Sequence, residues 1–318
     1  MDRDHRVDDP PLVLAISAGG TKGMFAYTIL RKLGIDVPGL RFDAVVGSSV
    51  GAVVGAMVAT GTLYTLGDDE LHRIVVDIFD DSDRAREGSI MFRPAYRGRS
   101  KRAAIDHLFG TMTMGDVWAK YGCHLMVLAE STGPSGPVVF SSRDPGHTDV
   151  LVADALDAST AIPVLFPSVR VGDLGMFSDG GTIARDPIGI GYVHLLARTS
   201  RPRGLADTGS GEVDTSRMRI LDIGTTPHPH TAPTHPGGLL HTLAPRSLVH
   251  YMSSCAAVLN GYVADILGSR RLHVSVQSSA GPSDTAAMTT LRDVGEIVYH
   301  RRRQELVAFV TRADDYKH

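Results

Sequence analysis

The chain has 318 residues, of which 43% are hydrophobic and 21% charged, a balance typical of a globular protein with a substantial core. A formal net charge of -3 argues against nucleic-acid binding, because neutralising a phosphate backbone requires a clear basic excess. The two cysteines, Cys123 and Cys255, have no neighbour at metal-ligand spacing, so we expect free thiols in a reducing, cytoplasmic compartment.

The opening stretch, MDRDHRVDDPP (residues 1–11), mixes four aspartates with two arginines and lacks the positive segment of a signal peptide. We expect a disordered tail over residues 1–11. No linker composition divides the remaining chain, so residues 12–318 are expected to form one domain.

The first elements alternate between strand and helix. Buried strands are predicted at Pro11–Ser17 and Phe42–Val46, and helices at Met24–Leu33 and Val50–Thr60. This order favours an α/β fold with a mostly parallel sheet. The uncharged stretch Ala44–Leu66 imitates a membrane span, but its glycines and serines make it only weakly hydrophobic, so we interpret it as a strand followed by a buried helix.

Further elements are predicted along the rest of the chain. Helices are expected at Asp68–Asp80, Lys101–Phe109 with Ser100 as N-cap, Val150–Thr160, Pro187–Ala197, Leu239–Leu267 and Thr285–Thr311. Strands are expected at His124–Glu130, Val138–Phe140, Met218–Ile223 and Leu272–Val276, with a hairpin over Val169–Gly181.

The sharpest motif is GSSVG, residues 47–51, which matches Gly-x-Ser-x-Gly between a predicted strand and helix. In that context Ser49 is a candidate nucleophile on a tight turn, where Gly47 and Gly51 remove side chains that would clash. The helix start and the N–H of Val50 suit a developing oxyanion. The alternative is a tight turn whose serines merely cap the helix.

A glycine-rich stretch follows the first strand, in LAISAGGTKGMFAY (residues 14–27). Adjacent parallel strands end at the same sheet edge, so this loop is expected to lie beside Ser49. It carries the candidate oxyanion residues Gly19, Gly20, Thr21, Lys22 and Gly23. The spacing of a Walker loop and of a dinucleotide fingerprint is absent from this stretch, which argues against nucleotide binding.

A third glycine-rich stretch, FSDGGTIARDP, places Asp179 before Gly180 and Gly181. Such a carboxylate can act as the base that a serine nucleophile needs, because the glycines allow close approach to other loops. The alternative is an aspartate in an ordinary turn.

Together the three motifs resemble the patatin-like phospholipase family, in which they occur in this order. ASTAIPVLFPSV (residues 158–169) and ILDIGTT (residues 220–226) extend the resemblance, which covers Leu12–Thr226. One departure is Ala18, which stands where many members have a first glycine.

The resemblance implies a single-domain, three-layer α/β sandwich and a lipid acyl hydrolase with Ser49 as nucleophile and Asp179 as base. It implies no cofactor and no metal. The expected substrates are phospholipids, lysophospholipids or related acyl glycerolipids, reached by peripheral contact with a membrane surface.

Two other functions stay open at this point. One is an α/β-hydrolase or acyltransferase with a Ser-His pair, in which the base would be one of His194, His241, His250 or His273. The other is a catalytically silent lipid- or protein-binding module.

Two further clusters have alternative interpretations. His228, His230 and His235 lie in a Pro-rich stretch without a firm scaffold, which argues against a metal site. The basic run Phe92–Arg102 is either a solvated loop and helix start or a contact for anionic lipid headgroups through Arg97, Arg99, Lys101 and Arg102.

Overall fold

A computed structural model of the chain describes residues 9–67, 94–134, 136–199, 214–226 and 245–311, together with positions 70, 73, 74, 76 and 78. Its centre is an eight-stranded sheet in the order β5-β6-β3-β2-β1-β7-β8, with β4 also paired to β3. The strands are β1 Leu12–Ile16, β2 Ala44–Ser48, β3 His124–Ser131, β4 Pro137–Ser141, β5 Val169–Val171, β6 Gly175–Asp179, β7 Arg219–Thr226 and β8 Arg271–Gln277.

Strands β3, β2, β1, β7 and β8 are parallel neighbours, whereas β4, β5 and β6 form the antiparallel pairs β3–β4, β3–β6 and β5–β6. The described α-helices are α1 Gly23–Asp36, α2 Val50–Thr60, α3 Arg99–Phe109, α4 Met114–Tyr121, α5 Val152–Ser159, α6 Ile188–Thr199, α7 Pro245–Leu267 and α8 Ala287–Thr311. The predicted α/β class with a mostly parallel sheet is confirmed.

The core lies on both faces of the sheet, as β1 illustrates. Leu12, Leu14 and Ile16 belong to the apolar cluster that includes α1, α2 and α8. Val13 and Ala15, which alternate with them, belong to a second cluster with α6 and α7. Because successive strand residues point to opposite faces, a strand buried on both sides must be apolar throughout, as LVLAI is.

The uncharged stretch Ala44–Leu66 contains β2 and α2, as its glycine and serine content predicted. Nine of the eleven residues of α2 are buried in the protein core. Within the described part of the chain, no helix combines the length and apolarity needed to cross a membrane.

Two local predictions differ from the structure. Ser100 is not an N-cap, because α3 begins at Arg99, two residues before the predicted start, and its N-cap is Gly98 in a left-handed conformation at φ 82°. Helix α4 is missing from the predicted elements, although its start carries a capping box in which Thr113 and Asp116 bond each other's backbone N–H groups at 3.1 Å. Asp116 is a less common partner for this box than glutamate, and the helix is only two turns long.

Several predicted segments fall outside the described residues. They are residues 1–8 of the expected tail, most of the expected helix Asp68–Asp80, the stretch 227–244 and the chain after Thr311.

The capping box of α4 generates a stability prediction. Thr113→Ala removes the side-chain acceptor for the N–H of Asp116, which should lower the free energy of unfolding by about 1 kcal/mol. Urea unfolding of both proteins measures the change, with exposed Thr111→Ala as the matched control. Equal losses in the two variants would show that the cap contributes nothing.

Candidate active site

The turn between β2 and α2 holds Ser49 in a strained conformation. Ser49 has φ 55° and ψ −128°, a region that non-glycine residues rarely adopt. The flanking glycines permit this turn: a Cβ on Gly47 would lie 2.4 Å from the Ala52 Cα, and one on Gly51 would lie 2.2 Å from the Ile16 carbonyl oxygen. The geometry is that of a nucleophile elbow, with its helix N-terminus beneath the serine.

The side chain of Asp179 meets this elbow. The Ser49 hydroxyl donates a hydrogen bond of 2.6 Å to Asp179 Oδ2, and both residues are buried. The other carboxylate oxygen accepts 2.6 Å from the N–H of Gly181. Gly180 permits the tight turn, since a Cβ there would lie 2.2 Å from the Leu128 carbonyl oxygen. The two residues therefore form a hydrogen-bonded dyad of fixed geometry.

Burial raises the pKa of Asp179 to about 6, while hydrogen bonds from Ser49 and Gly181 and the charge of Lys101 act in the opposite direction. A carboxylate in water has a pKa near 3.9 and is a weak base. The shift brings Asp179 close to neutral pH, where a general base works best. The carboxylate is ionised above about pH 6 and able to accept a proton there.

The glycine-rich loop after β1 forms a 3-10 turn, Gly20–Lys22, beside the elbow. Gly23 contacts the elbow so closely that a Cβ there would lie 2.5 Å from Val50 Cγ2. Across the described residues, the N–H groups of Gly19, Gly20 and Val50 donate no hydrogen bond to another protein group. These three donors fit the oxyanion-hole prediction.

Thr21 and Lys22 differ from that prediction. The N–H of Thr21 donates to the Pro282 carbonyl oxygen at 2.9 Å, and that of Lys22 donates to Gly19 at 3.2 Å. The Lys22 ammonium binds the Ser278 carbonyl oxygen at 3.2 Å. These two residues shape the loop, but their N–H groups are engaged and unavailable to an oxyanion.

An apolar pocket opens beside Ser49. It is lined by side chains from α1, α2, α3, α8 and the segment after α5, among them Met24, Val54, Leu108 and Phe166. Gly20 and Val50 also line it, so two of the three free donors and the nucleophile belong to the wall of one pocket. An acyl chain fits such a lining chemically, because its methylene groups leave water on entering it.

The histidine candidates lie away from the dyad where the structure describes them. His273 Nδ1 pairs with Asp222 Oδ2 at 2.7 Å on the parallel strands β7 and β8. The ring of His194 lies against that of His124, with centroids 5.8 Å apart. The side chains of His241 and His250 are outside the described residues.

A metal site receives no support from the described residues, which hold no group of three or more histidine, cysteine, aspartate or glutamate side chains placed to bind an ion. His228, His230 and His235 lie outside them.

Two residues that contribute to the site were not predicted from the sequence to belong to it. Ser159, in the ASTAIP stretch, accepts a hydrogen bond of 3.0 Å from the Ser49 N–H. Lys101 was grouped with the basic run, but its side chain is 2% exposed and lines the pocket.

Arg102 is paired with Asp106 and with Asp154, at 2.9 and 2.6 Å. A headgroup contact through all four basic residues is therefore wrong for Lys101.

Comparison with known proteins agrees with this geometry. The family model described as patatin-like phospholipase matches residues 14–192, more than half of the chain. The chain belongs to this family.

Two curated relatives and one solved structure illustrate the similarity. The chain is 28% identical over 241 residues to a cGAMP-activated phospholipase of Escherichia coli (strain TW11681), covering 69% of this chain and 63% of that protein. It is 27% identical to a cUMP-AMP-activated phospholipase of Escherichia coli, covering 74% and 70% respectively. VipD from Legionella pneumophila matches with a TM-score of 0.43 and 12% identity, over 92% of this chain and 67% of that chain. The chain thus spans less than two thirds of the first of these relatives.

The dyad geometry generates a prediction about the base. Asp179→Asn is nearly isosteric but cannot accept the serine proton, so hydrolysis of a soluble ester should fall at least about a hundredfold. His194→Ala and His273→Ala are the matched controls and should each cost far less per folded molecule. A silent histidine variant beside an active Asp179→Asn would replace the dyad with the Ser-His alternative.

Asp179→Asn should lower activity but raise the stability of the fold at neutral and alkaline pH. The pKa of Asp179 is about 6 in the folded protein against an ordinary value of 3.8, so the wild type loses stability as pH rises through this interval. Asp179→Asn lacks that loss. Thermal unfolding should therefore show a more stable variant at pH 8, with the difference shrinking towards pH 4.

Proposed function

We propose that this protein is a lipid acyl hydrolase that cleaves fatty-acyl esters of membrane glycerolipids through Ser49 and Asp179. The observation that carries the proposal is the 2.6 Å hydrogen bond from the hydroxyl of Ser49, which lines an apolar pocket, to the buried carboxylate of Asp179. The family and the names of the two curated relatives support the same chemistry.

In the proposed reaction the ester carbonyl carbon lies against the Ser49 oxygen and the acyl chain lies in the apolar pocket. Asp179 takes the hydroxyl proton as the serine oxygen attacks. The N–H groups of Gly19, Gly20 and Val50 stabilise the negative charge that develops on the carbonyl oxygen, and such donors are typically worth about a hundred- to a thousandfold in rate each.

Collapse of that intermediate expels the alcohol part of the lipid, which receives the proton from Asp179. A water molecule then attacks the acyl-Ser49 ester, with Asp179 again acting as base, and releases the fatty acid. The reaction uses backbone donors and one carboxylate, so no cofactor or metal is proposed.

Contact with the membrane is assigned to the segment at the start of α3. The N–H groups of Ala95 and Tyr96 bond the carbonyl oxygens of Val164 and Leu165 at 2.8 Å, next to residues that line the pocket. Arg97 and Arg99 on this segment are exposed, and so is the apolar side chain of Val164. Basic and apolar groups beside the pocket suit a peripheral contact with anionic lipid. The location proposed for the protein is cytoplasmic, with that contact on the membrane surface.

A mixed lipid extract tests the proposed activity. Wild-type protein is expected to release fatty acids that mass spectrometry identifies, and Ser49→Ala should abolish release while leaving the fold intact. Ser48→Ala is a matched control, because the neighbouring hydroxyl is buried without a hydrogen-bond partner among the described residues. The reactions are run with and without cGAMP, the activator in the name of one relative.

Release by folded Ser49→Ala would overturn the assignment. Absence of release by the wild type in every lipid and with cGAMP, despite labelling of Ser49 by a fluorophosphonate, would replace the lipase with an esterase of another substrate class. Absence of labelling and release would favour the catalytically silent binding module.

Vesicle binding tests the membrane contact separately. Replacing Arg97 and Arg99 with glutamine should weaken binding to anionic vesicles, because each charge near such a surface contributes about 1 kcal/mol. The salt dependence should also decrease, while turnover of a soluble ester remains. The charge-matched control replaces Arg41 and Arg217, which precede the parallel strands β2 and β7 at the opposite sheet edge. Equal binding of the two double variants would contradict the assignment.

A further inference from the structure

A buried lysine stands in the pocket that Ser49 lines. Lys101 belongs to α3, and its side chain lines the pocket together with Ser49. The ammonium forms an ion pair of 2.6 Å with Asp157 Oδ1 and donates to the Asp157 carbonyl oxygen at 2.6 Å and to Thr160 Oγ1 at 3.1 Å. Its position is therefore fixed by three oxygens at the C-terminal end of α5.

The segment that holds this lysine also holds both members of the dyad. Ser159 Oγ accepts the N–H of Ser49 at 3.0 Å, and the Ala161 carbonyl oxygen accepts the N–H of Asp179 at 3.0 Å. Five consecutive residues, 157–161, thus contact the lysine, the nucleophile and the base. A shift of this segment would move the serine and the carboxylate relative to each other.

We propose that Lys101 is a positioning residue of the dyad, which fixes the segment 157–161 and holds a buried positive charge in the pocket that Ser49 lines. The proposal rests on the proposed function of Ser49 and Asp179. It assigns no substrate contact to the ammonium, because Asp157 and Thr160 engage it.

The charge has a direct effect on the base. The groups that act on the Asp179 carboxyl are the Ser49 hydroxyl and the Gly181 N–H, which donate hydrogen bonds to it, and the Lys101 ammonium from α3, which acts through its charge. Each lowers the pKa of Asp179 against the upward effect of burial. Without the ammonium, the carboxyl would be protonated over more of the neutral range, and a smaller fraction of the dyad would hold its base.

Fold stability alone does not explain a cation at this position. Burial lowers the pKa of Lys101, which shows that desolvation of the ammonium is unfavourable, and Asp157 offsets this effect. Buried ion pairs of this kind are often no more stabilising than apolar residues of similar volume. A methionine could fill the space beside Phe166, but it would carry no charge.

The test follows the rate of fluorophosphonate labelling of Ser49 against pH, which reports the dyad without a lipid substrate. Lys101→Met and the double variant Lys101→Met/Asp157→Asn remove the positive charge, and the double variant avoids leaving a buried carboxylate unpaired. Lys101→Arg keeps the charge. Lys32→Met is the matched control, since this lysine on α1 does not line the pocket and pairs with Glu296 at 3.4 Å.

In the wild type, labelling should fall as pH drops through about 6, the pKa of Asp179. In both variants without the charge, this acid limb should move upward by about one pH unit, the low end of the effect of a nearby opposite charge. Lys101→Arg and Lys32→Met should keep the limb near its wild-type position.

Three outcomes would overturn the inference. An unmoved acid limb in the folded double variant would leave Lys101 with a structural role only. An equal shift in Lys32→Met would show that the effect is not specific to the buried charge. A wild-type Ser49 that does not label would remove the reactive dyad that Lys101 is proposed to position. Labelling of Ser49 without lipid hydrolysis, in contrast, contradicts only the substrate assignment, and the pH comparison still decides the role of Lys101.

Discussion

The hydrogen bond between Ser49 and Asp179 is the contact around which the rest of the site is arranged. It joins the end of β2 to the end of β6, although the two residues are 130 positions apart in the chain. β3 lies between these strands, pairing in parallel with β2 and antiparallel with β6. The register Ala129↔Asp179 fixes where the carboxylate emerges, so a slip of one residue would turn it to the other face of the sheet.

Maintaining this contact requires unfavourable local structure. Ser49 adopts a backbone conformation that costs on the order of 1–3 kcal/mol for a non-glycine residue. Asp179 keeps an ionisable carboxyl buried, and its raised pKa records the cost of the charge. The apolar side chains packed on both faces of the sheet offset these two unfavourable contributions, since burial of apolar surface is the main favourable contribution to folding.

The sequence carries the local parts of this design. A Gly-x-Ser-x-Gly turn and an Asp-Gly-Gly turn have narrow backbone requirements, so the motifs predict Ser49 and Asp179 at their positions, and alternation of apolar strands and helices predicts the sheet. Contacts between distant segments leave no comparable pattern. The N–H of Thr21 donates to the carbonyl oxygen of Pro282, and Lys101 forms an ion pair with Asp157. Both partners are distant in the chain, so neither contact follows from the residues around Thr21 or Lys101.

In the proposed mechanism, burial gives Asp179 the role that imidazole plays in a triad. Histidine is an effective base near neutral pH because its unperturbed pKa is about 6.5. A carboxyl group reaches a similar value here because the protein withholds water from it, while Ser49, Gly181 and Lys101 prevent the shift from going further. Burial and the three stabilising groups must affect the pKa of Asp179 by comparable amounts. Too little burial would leave a weak base, and too little stabilisation of the charge would leave a neutral acid. A two-residue site is therefore sensitive to charges that do not touch the substrate, which explains why a lysine engaged by Asp157 and Thr160 can matter for catalysis.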